Sequence, residues 1–370
     1  MNEADELYRG QPGYRREKPP DPDSLPPSVH DLLRQQETYV PDDGLKSAVN
    51  VALLLGMPLL LTGSPGSGKT RLAYALAAEM GLDGQPLEVV VKSDATSRDL
   101  LYAFDELGRF QDAQASSRRD TEGDEAAKRP LIAYLRFQPL GQAILRAGGP
   151  LAEVELLDGN AFRGRHTDEK PTYFKDLAPD LFKGAAEPSL SVVLIDELDK
   201  APRDLPNDLL RELEDMAFEI KELGVRIQVP RNKQGLPKVR PIVVITSNAE
   251  RSLPEPFLRR VAFYDISPPS DTKLQQIVEL RFKELQNPTL VAKTVELYRQ
   301  IVREFPTGER EPGTAEFLAW FHYLHKRGLG EEHSDALDMP DAVRASLVIL
   351  AKTREALKSA IGVVDEQLRS

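Results

Sequence analysis

The sequence contains no cysteine, which excludes disulfide staples, thiolate metal ligands and cysteine nucleophiles and fits a reducing compartment. Long apolar runs are also missing. The longest, Val51 to Leu61, is broken by Gly56 and Pro58 and is too short to cross a bilayer. Met1 to Glu6 is acidic and lacks the apolar h-region of a signal peptide, so a cytoplasmic location is expected. A formal charge of −11 argues against a broad basic surface for duplex nucleic acid, although a local basic loop or central pore can still hold a strand. His322 and His325 stand three apart on one helical face, but no carboxylate pattern accompanies them and no metal site is expected there.

What remains is an ordinary mixture, 41% hydrophobic and 29% charged, long enough at 370 residues for one large domain and a smaller one. Within it stands Gly63-Ser64-Pro65-Gly66-Ser67-Gly68-Lys69-Thr70, which matches the phosphate-binding pattern G-x-x-x-x-G-K-[ST]. The glycines let backbone N–H groups close around phosphate oxygens at a helix N-terminus. Lys69 is expected to reach the β/γ-phosphates, and the Thr70 hydroxyl to hold Mg²⁺. The context agrees. Met57 to Thr62 reads as a short buried strand, and Thr70 to Met80 as a helix with Leu72, Ala73, Leu76 and Ala77 on one face and Gly81 at its end.

Residues 1–40, rich in proline and charge, read as a flexible or extended arm or as a disordered tail without a role. A helical face runs through Leu45, Ala48, Val49, Ala52 and Leu53 to Gly56. Glu88 to Val91 reads as a second strand, and Ser93 to Thr96 caps a helix expected to run through Leu100, Leu101 and Phe104. Residues 111–130 are expected to form a solvated polar loop, with helix resuming from Leu131 to Arg146. Val154 to Leu157 has strand character, whereas Gly159 to Asp180 has no period. Arg163-Gly164-Arg165-His166 within it reads either as a phosphate contact or as a solvated loop.

Leu190 to Glu197 is an apolar strand that ends in two carboxylates, at the sheet edge where ligands sit in open parallel sheets. A glycine-loop nucleotidase needs such an acid in its Mg²⁺ shell, the role expected of Asp196; Glu197 is placed to polarise the attacking water. Asp204, Pro206 and the face Leu209, Leu210, Leu213 and Met216 mark a helix. Phe218 to Val229 alternates around Gly224 as a hairpin does. The basic stretch from Arg231 to Arg240 reads as a solvated turn or as a contact for an acidic or nucleic-acid substrate. Pro241 to Asn248 is a further strand whose tip, Asn248, can orient water or sense the γ-phosphate. Arg259 and Arg260 follow, as a surface ion pair or as a stabiliser of phosphoryl charge.

This order of motifs resembles the AAA+ ATPases over roughly residues 41–330 and, within them, looks like the MoxR family. Phe137 to Leu145 and Asp196-Glu197-Leu198-Asp199-Lys200-Ala201-Pro202 are similar to segments of that family, although Asp199-Lys200 stands where its members more often have Asn-Arg. That departure leans toward the related GTP-using restriction motors. The resemblance implies an α/β P-loop parallel-sheet sandwich with a C-terminal all-α lid. The expected boundaries are an arm at 1–40, a nucleotide-binding domain at 41–268 with an insertion at about 97–189, and a lid at 269–370. It also implies a ring, commonly a hexamer, with ATP and Mg²⁺ between neighbours, sensor 1 at Asn248, an arginine finger at Arg260 with Arg259 beside it, and partners carrying von Willebrand A-type domains. No arginine occupies the sensor-2 neighbourhood, Gly313-Thr314-Ala315-Glu316. The stripe Phe317, Leu318, Trp320, Phe321 and Leu324 reads as lid core. The expected function is ATP hydrolysis in a ring that remodels or activates a partner protein. The rivals are a nucleic-acid-dependent or GTP-using motor and a non-hydrolysing nucleotide switch.

Overall fold

The computed structural model describes residues 39–82, 85–119, 130–157, 171–285 and 287–369. Most of the proline-rich arm, and Arg163 to His166, lie outside the described residues. In chain order the first half contains α1 (Asp43–Leu55), β1 (Leu59–Gly63), α2 (Lys69–Glu79), β2 (Leu87–Val90), α3 (Ser97–Leu101), β3 (Tyr102–Phe104), α4 (Glu106–Arg119), β4 (Leu135–Phe137), α5 (Pro139–Gly148), β5 (Glu155–Leu156) and α6 (Phe174–Leu177). There follow β6 (Val192–Asp196), α7 (Leu205–Asp215), β7 (Ala217–Ile220), β8 (Val225–Gln228), β9 (Ile242–Thr246), α8 (Glu255–Leu258) and β10 (Ala262–Ile266). Helices α9 (Asp271–Arg281), α10 (Pro288–Arg303), α11 (Thr314–Lys326), α12 (Pro340–Leu350) and α13 (Arg354–Gln367) complete the chain. No helix among the described residues is long and apolar enough to cross a membrane.

The main sheet is parallel, in the order β10-β1-β9-β6-β2. Its central strands are apolar on both faces, as a sheet covered by helices on both sides requires. Leu59, Leu61, Val192, Leu194 and Val244 face α1 and α2, where Leu45, Val49, Leu72 and Leu76 complete one core. Leu60, Val193, Ile195, Val243 and Ile245 face the opposite core with Leu140, Ile144, Leu209, Leu213 and Phe257. The α/β parallel-sheet layout expected from the sequence is therefore present, with a helical C-terminal region after the sheet.

Three stretches depart from the sequence reading. The helix capped at Thr96 stops at Leu101, because Tyr102 and Phe104 are buried while Ala103 is exposed, and this period of two pairs them with β4. The supposed loop at 111–130 begins as helix α4, which runs to Arg119. Residues 106–114 of it are exposed or half-buried, which accounts for their polarity, and Tyr134 anchors the helix by donating to Asp112 at 2.6 Å. Leu131 to Arg146 is not one helix. A 3-10 turn and β4 precede α5, which starts with Pro139 in its first turn.

The hairpin around Gly224 forms as expected. Phe218 pairs with Ile227, and β5 adds a third strand. After the sheet, Phe317, Trp320, Phe321 and Leu324 are fully buried in the helical region, and the Trp320 indole donates to Ser346 at 3.0 Å to join α11 to α12.

Candidate functional site

The glycine loop leaves the C-terminal end of β1, in the middle of the sheet. Gly63 has φ 134°, and a Cβ there would stand 2.6 Å from the Ile266 carbonyl oxygen, so only glycine fits. Gly68, also at positive φ, precedes α2 without supplying a side-chain cap, which leaves the first-turn N–H groups of α2 for an anion. Ser64, Pro65, Gly66 and Ser67 complete the loop, and the buried Ser67 hydroxyl has no hydrogen-bond partner among the described residues. A buried hydroxyl without a partner is a fit for a phosphate oxygen.

Lys69 is only 6% exposed. Its ammonium donates to the carbonyls of Gly63 at 2.8 Å and Ser64 at 3.0 Å, folding back onto the loop. Burial lowers its pKa, against the attraction of Asp196, Asp199 and Asp265.

Asp196 ends β6, two strands from β1. It accepts hydrogen bonds from the Thr70 hydroxyl at 3.2 Å and from the Thr246 hydroxyl. Burial raises its carboxyl pKa, and the two hydroxyl donors oppose that shift. Thr246, which the sequence reading passed over in favour of Asn248, is 1% exposed at the end of β9 and also accepts from the Glu197 N–H at 3.0 Å. Its signal is a lone polar residue closing an apolar strand beside the acidic one. A hydroxyl and a carboxylate converging from two elements suit a hard divalent cation with remaining positions for water and phosphate, so these residues fit Mg²⁺.

Glu197 adopts a left-handed conformation, φ 60°, uncommon for a residue with a Cβ. Its carboxylate is held by Lys200 at 2.7 Å. Asp199, 2% exposed, takes the backbone N–H groups of Asn248 at 3.1 Å and Glu250 at 3.0 Å. Those two bonds bracket Ala249, itself left-handed at φ 58°. Asp199 thereby ties the turn after Glu197 to the turn after Asn248, a role the sequence did not reveal.

The two arginines stand elsewhere. Ala262 pairs with Leu59 at the start of β1, whereas the loop leaves after Gly63, whose partner is Ile266. Arg260 precedes that first pair by two residues, so it lies about 20 Å along the strands from the loop of its own chain at ~3.3 Å per residue. Its guanidinium is 3.3 Å from Glu214, and Arg259 pairs with Glu255. Beside Arg260, Gly56 and Met57 line a cavity of about 270 Å³ at the end of α1, where Leu54 and Leu55 are 86% and 66% exposed.

An arginine does reach the loop from the helical region. Arg310 lies 3.5 Å from the Pro65 carbonyl and 3.4 Å from Glu316, and its charge helps to lower the Lys69 pKa. The absence of an arginine at 313–316 therefore does not leave the loop without a cation from that side. Arg310 lies three residues before that stretch.

Residues 58–136 match the family model described as the AAA domain of the dynein-related subfamily. Among solved structures, a variant of RuvB from Thermotoga maritima is similar at 13% identity and a TM-score of 0.41, over 88% of this chain and 75% of that one. No curated protein matches this chain.

Proposed function

We propose, from the premise that an AAA domain on a P-loop AAA+ fold supports an AAA+ ATPase, that this chain hydrolyses ATP between the subunits of a homo-oligomeric ring, a hexamer of MoxR type, and uses the cycle to remodel or activate a protein partner. The observation that carries this reading is the convergence of Lys69, Thr70, Asp196 and Glu197 at one edge of the sheet. Two features support the ring: the distance of Arg260 from its own loop, and the exposed leucines beside it. The partner of this proposal carries a von Willebrand A-type domain.

The loop amides and the α2 N-terminus cradle the phosphates, and Lys69 exchanges the Gly63 and Ser64 carbonyls for phosphate oxygens. Thr70 and Asp196 would hold Mg²⁺, which neutralises charge on the phosphoryl oxygens. Glu197 leaves Lys200, orients the attacking water and accepts its proton, while Asn248 holds that water in line. Arg260 of a neighbouring subunit stabilises the charge that develops in transfer.

The test is Glu197→Gln. ATP binding and the ATP-dependent assembly are expected to persist while turnover falls by about 10²–10⁴-fold, the range of a lost general base. Unchanged turnover would remove Glu197 from this role, and an ATP-independent monomer at full activity would remove the ring.

A further inference from the structure

Away from the glycine loop, a cavity of about 440 Å³ opens between α3, α7 and the hairpin strand β7. Its size falls in the range that holds ligands. One side is the free edge of a sheet. The small sheet runs β5-β8-β7, so β7 has no strand partner on its outer side among the described residues. The direction of its backbone groups follows from one bond. Met216 accepts from the Val229 N–H at 3.0 Å, which turns Met216, Phe218 and Ile220 toward β8. Ala217 and Glu219 therefore direct both N–H and C=O outward, along the cavity.

The opposite wall is acidic. Asp208, Glu212 and Asp215 line the cavity from α7, with Arg211 the one cation among them. Glu212 Oε2 is buried there without a hydrogen-bond partner. The other walls carry Arg98, paired with Glu222 at 2.9 Å, Lys221, and Arg226, whose Nε lies 3.9 Å from Glu155 and is buried without a hydrogen-bond partner among the described residues.

We propose that this cleft is a peptide-docking site, in which an extended segment of a protein partner adds as a strand to the edge of β7 and places a lysine or arginine against Glu212. Strand addition supplies main-chain bonds to Ala217 and Glu219, and the acidic wall supplies the choice of side chain. The cation meets a buried carboxylate oxygen of the cleft that lacks a donor among the described residues.

The pH dependence has a definite sign. Burial pushes the Glu212 carboxyl up to about 7, assisted by Asp208 and opposed by the Ser97 hydroxyl and Arg211. Arg98 from α3, and Glu219, Lys221 and Arg226 from the hairpin, are the other charges around it. A bound cation favours the ionised carboxylate, so affinity is constant above the pKa and falls by up to about tenfold for each pH unit below it.

The experiment uses the full chain without nucleotide and reads fluorescence anisotropy of a labelled Val-Lys-Val-Lys-Val peptide at pH 8. The comparison peptides are Val-Glu-Val-Glu-Val and the lysine peptide N-methylated at every amide, so that neither edge can donate. The lysine peptide is expected to bind at least tenfold more tightly than either, and to weaken about tenfold at pH 6. Glu219→Pro deletes one outward N–H at an edge position that tolerates proline and leaves the β7–β8 ladder intact. It is expected to lose at least tenfold in affinity with an unchanged melting curve. Glu212→Gln is expected to bind the lysine and glutamate peptides within about threefold of each other. Equal binding of the N-methylated peptide would overturn strand addition, equal binding of the glutamate peptide to the wild-type chain would overturn the role of Glu212, and no saturable binding of any peptide would overturn the site. All arms are read without ATP, so failure here and failure of the hydrolase reading are separate results.

Discussion

Arg310 spans Pro65 and Glu316, at 3.5 and 3.4 Å, and so joins the glycine loop to the first turn of α11. The approach is close along the whole contact. A Cβ on Gly313 would stand 2.8 Å from the Pro65 carbonyl oxygen, and one on Gly66 would stand 3.0 Å from Glu316 Oε2. A nucleotide that fills the loop must therefore be felt by the helical region. Arg310→Ala is expected to lower kcat/KM for ATP by about 10–100-fold, the worth of one charge-assisted hydrogen bond of roughly 1.5–3 kcal/mol. Steady-state hydrolysis across an ATP series checks it, and a change below twofold would show that Arg310 does not contact the nucleotide.

The position of Arg260 predicts complementation between two inactive proteins. Lys69→Ala removes the proposed phosphate ligand but keeps the arginine, and Arg260→Ala does the reverse. If Arg260 serves a neighbour's loop, mixing the two variants restores hydrolysis in the mixed assembly. If it serves its own loop, the mixture stays as inactive as its components.

Lys200 restrains the carboxylate proposed to act on water. The pair is partly exposed, and such pairs are weak, so its release can raise the rate by no more than about fivefold. Lys200→Ala is expected to increase basal ATP turnover within that limit. A large decrease would mean that Lys200 itself takes part in the reaction.

Asp199 accepts from two backbone N–H groups around a left-handed alanine. Asp199→Ala leaves both donors without their partner, which costs on the order of 1–3 kcal/mol. The expected result is a lower urea midpoint together with a loss of kcat that exceeds any change in ATP affinity. Asp199→Asn, which keeps one acceptor oxygen, is expected to fall between the two.

Glu212 also makes a stability prediction. Its native pKa, near 7, is above that of an ordinary glutamate, so the folded chain binds this proton more tightly than the unfolded chain does. Its contribution is most favourable below about pH 4.5, declines as pH rises toward 7 and is constant beyond. With discount for partial solvent exposure, the decline is on the order of 1–2 kcal/mol. Thermal melts of Glu212→Gln are expected to exceed wild type by a few degrees at pH 8 and by less at pH 5.

Much of the site is local in sequence. Gly63 to Thr70 forms a loop because glycines admit positive φ and the following residues favour a helix. Asp196 and Glu197 end an apolar run, which places them at the tip of a central strand. Those properties belong to short segments and survive translation into structure. Which residues meet across the sheet is a different matter, because strand order and register are fixed only when the whole core packs. Thr246 reaches Asp196 because β9 lies beside β6, and Asp199 holds Asn248 for the same reason. The failed readings have that origin too: Phe104 left its helix to pair with β4, and the helix expected from Leu131 was interrupted by that same strand. The sequence by itself determined the glycine loop, the acidic strand and the parallel α/β architecture. Tertiary structure alone decided that Arg310 stands at the loop, that Arg260 stands far from it and that β7 keeps an open edge, because each is a relation between segments distant in the chain.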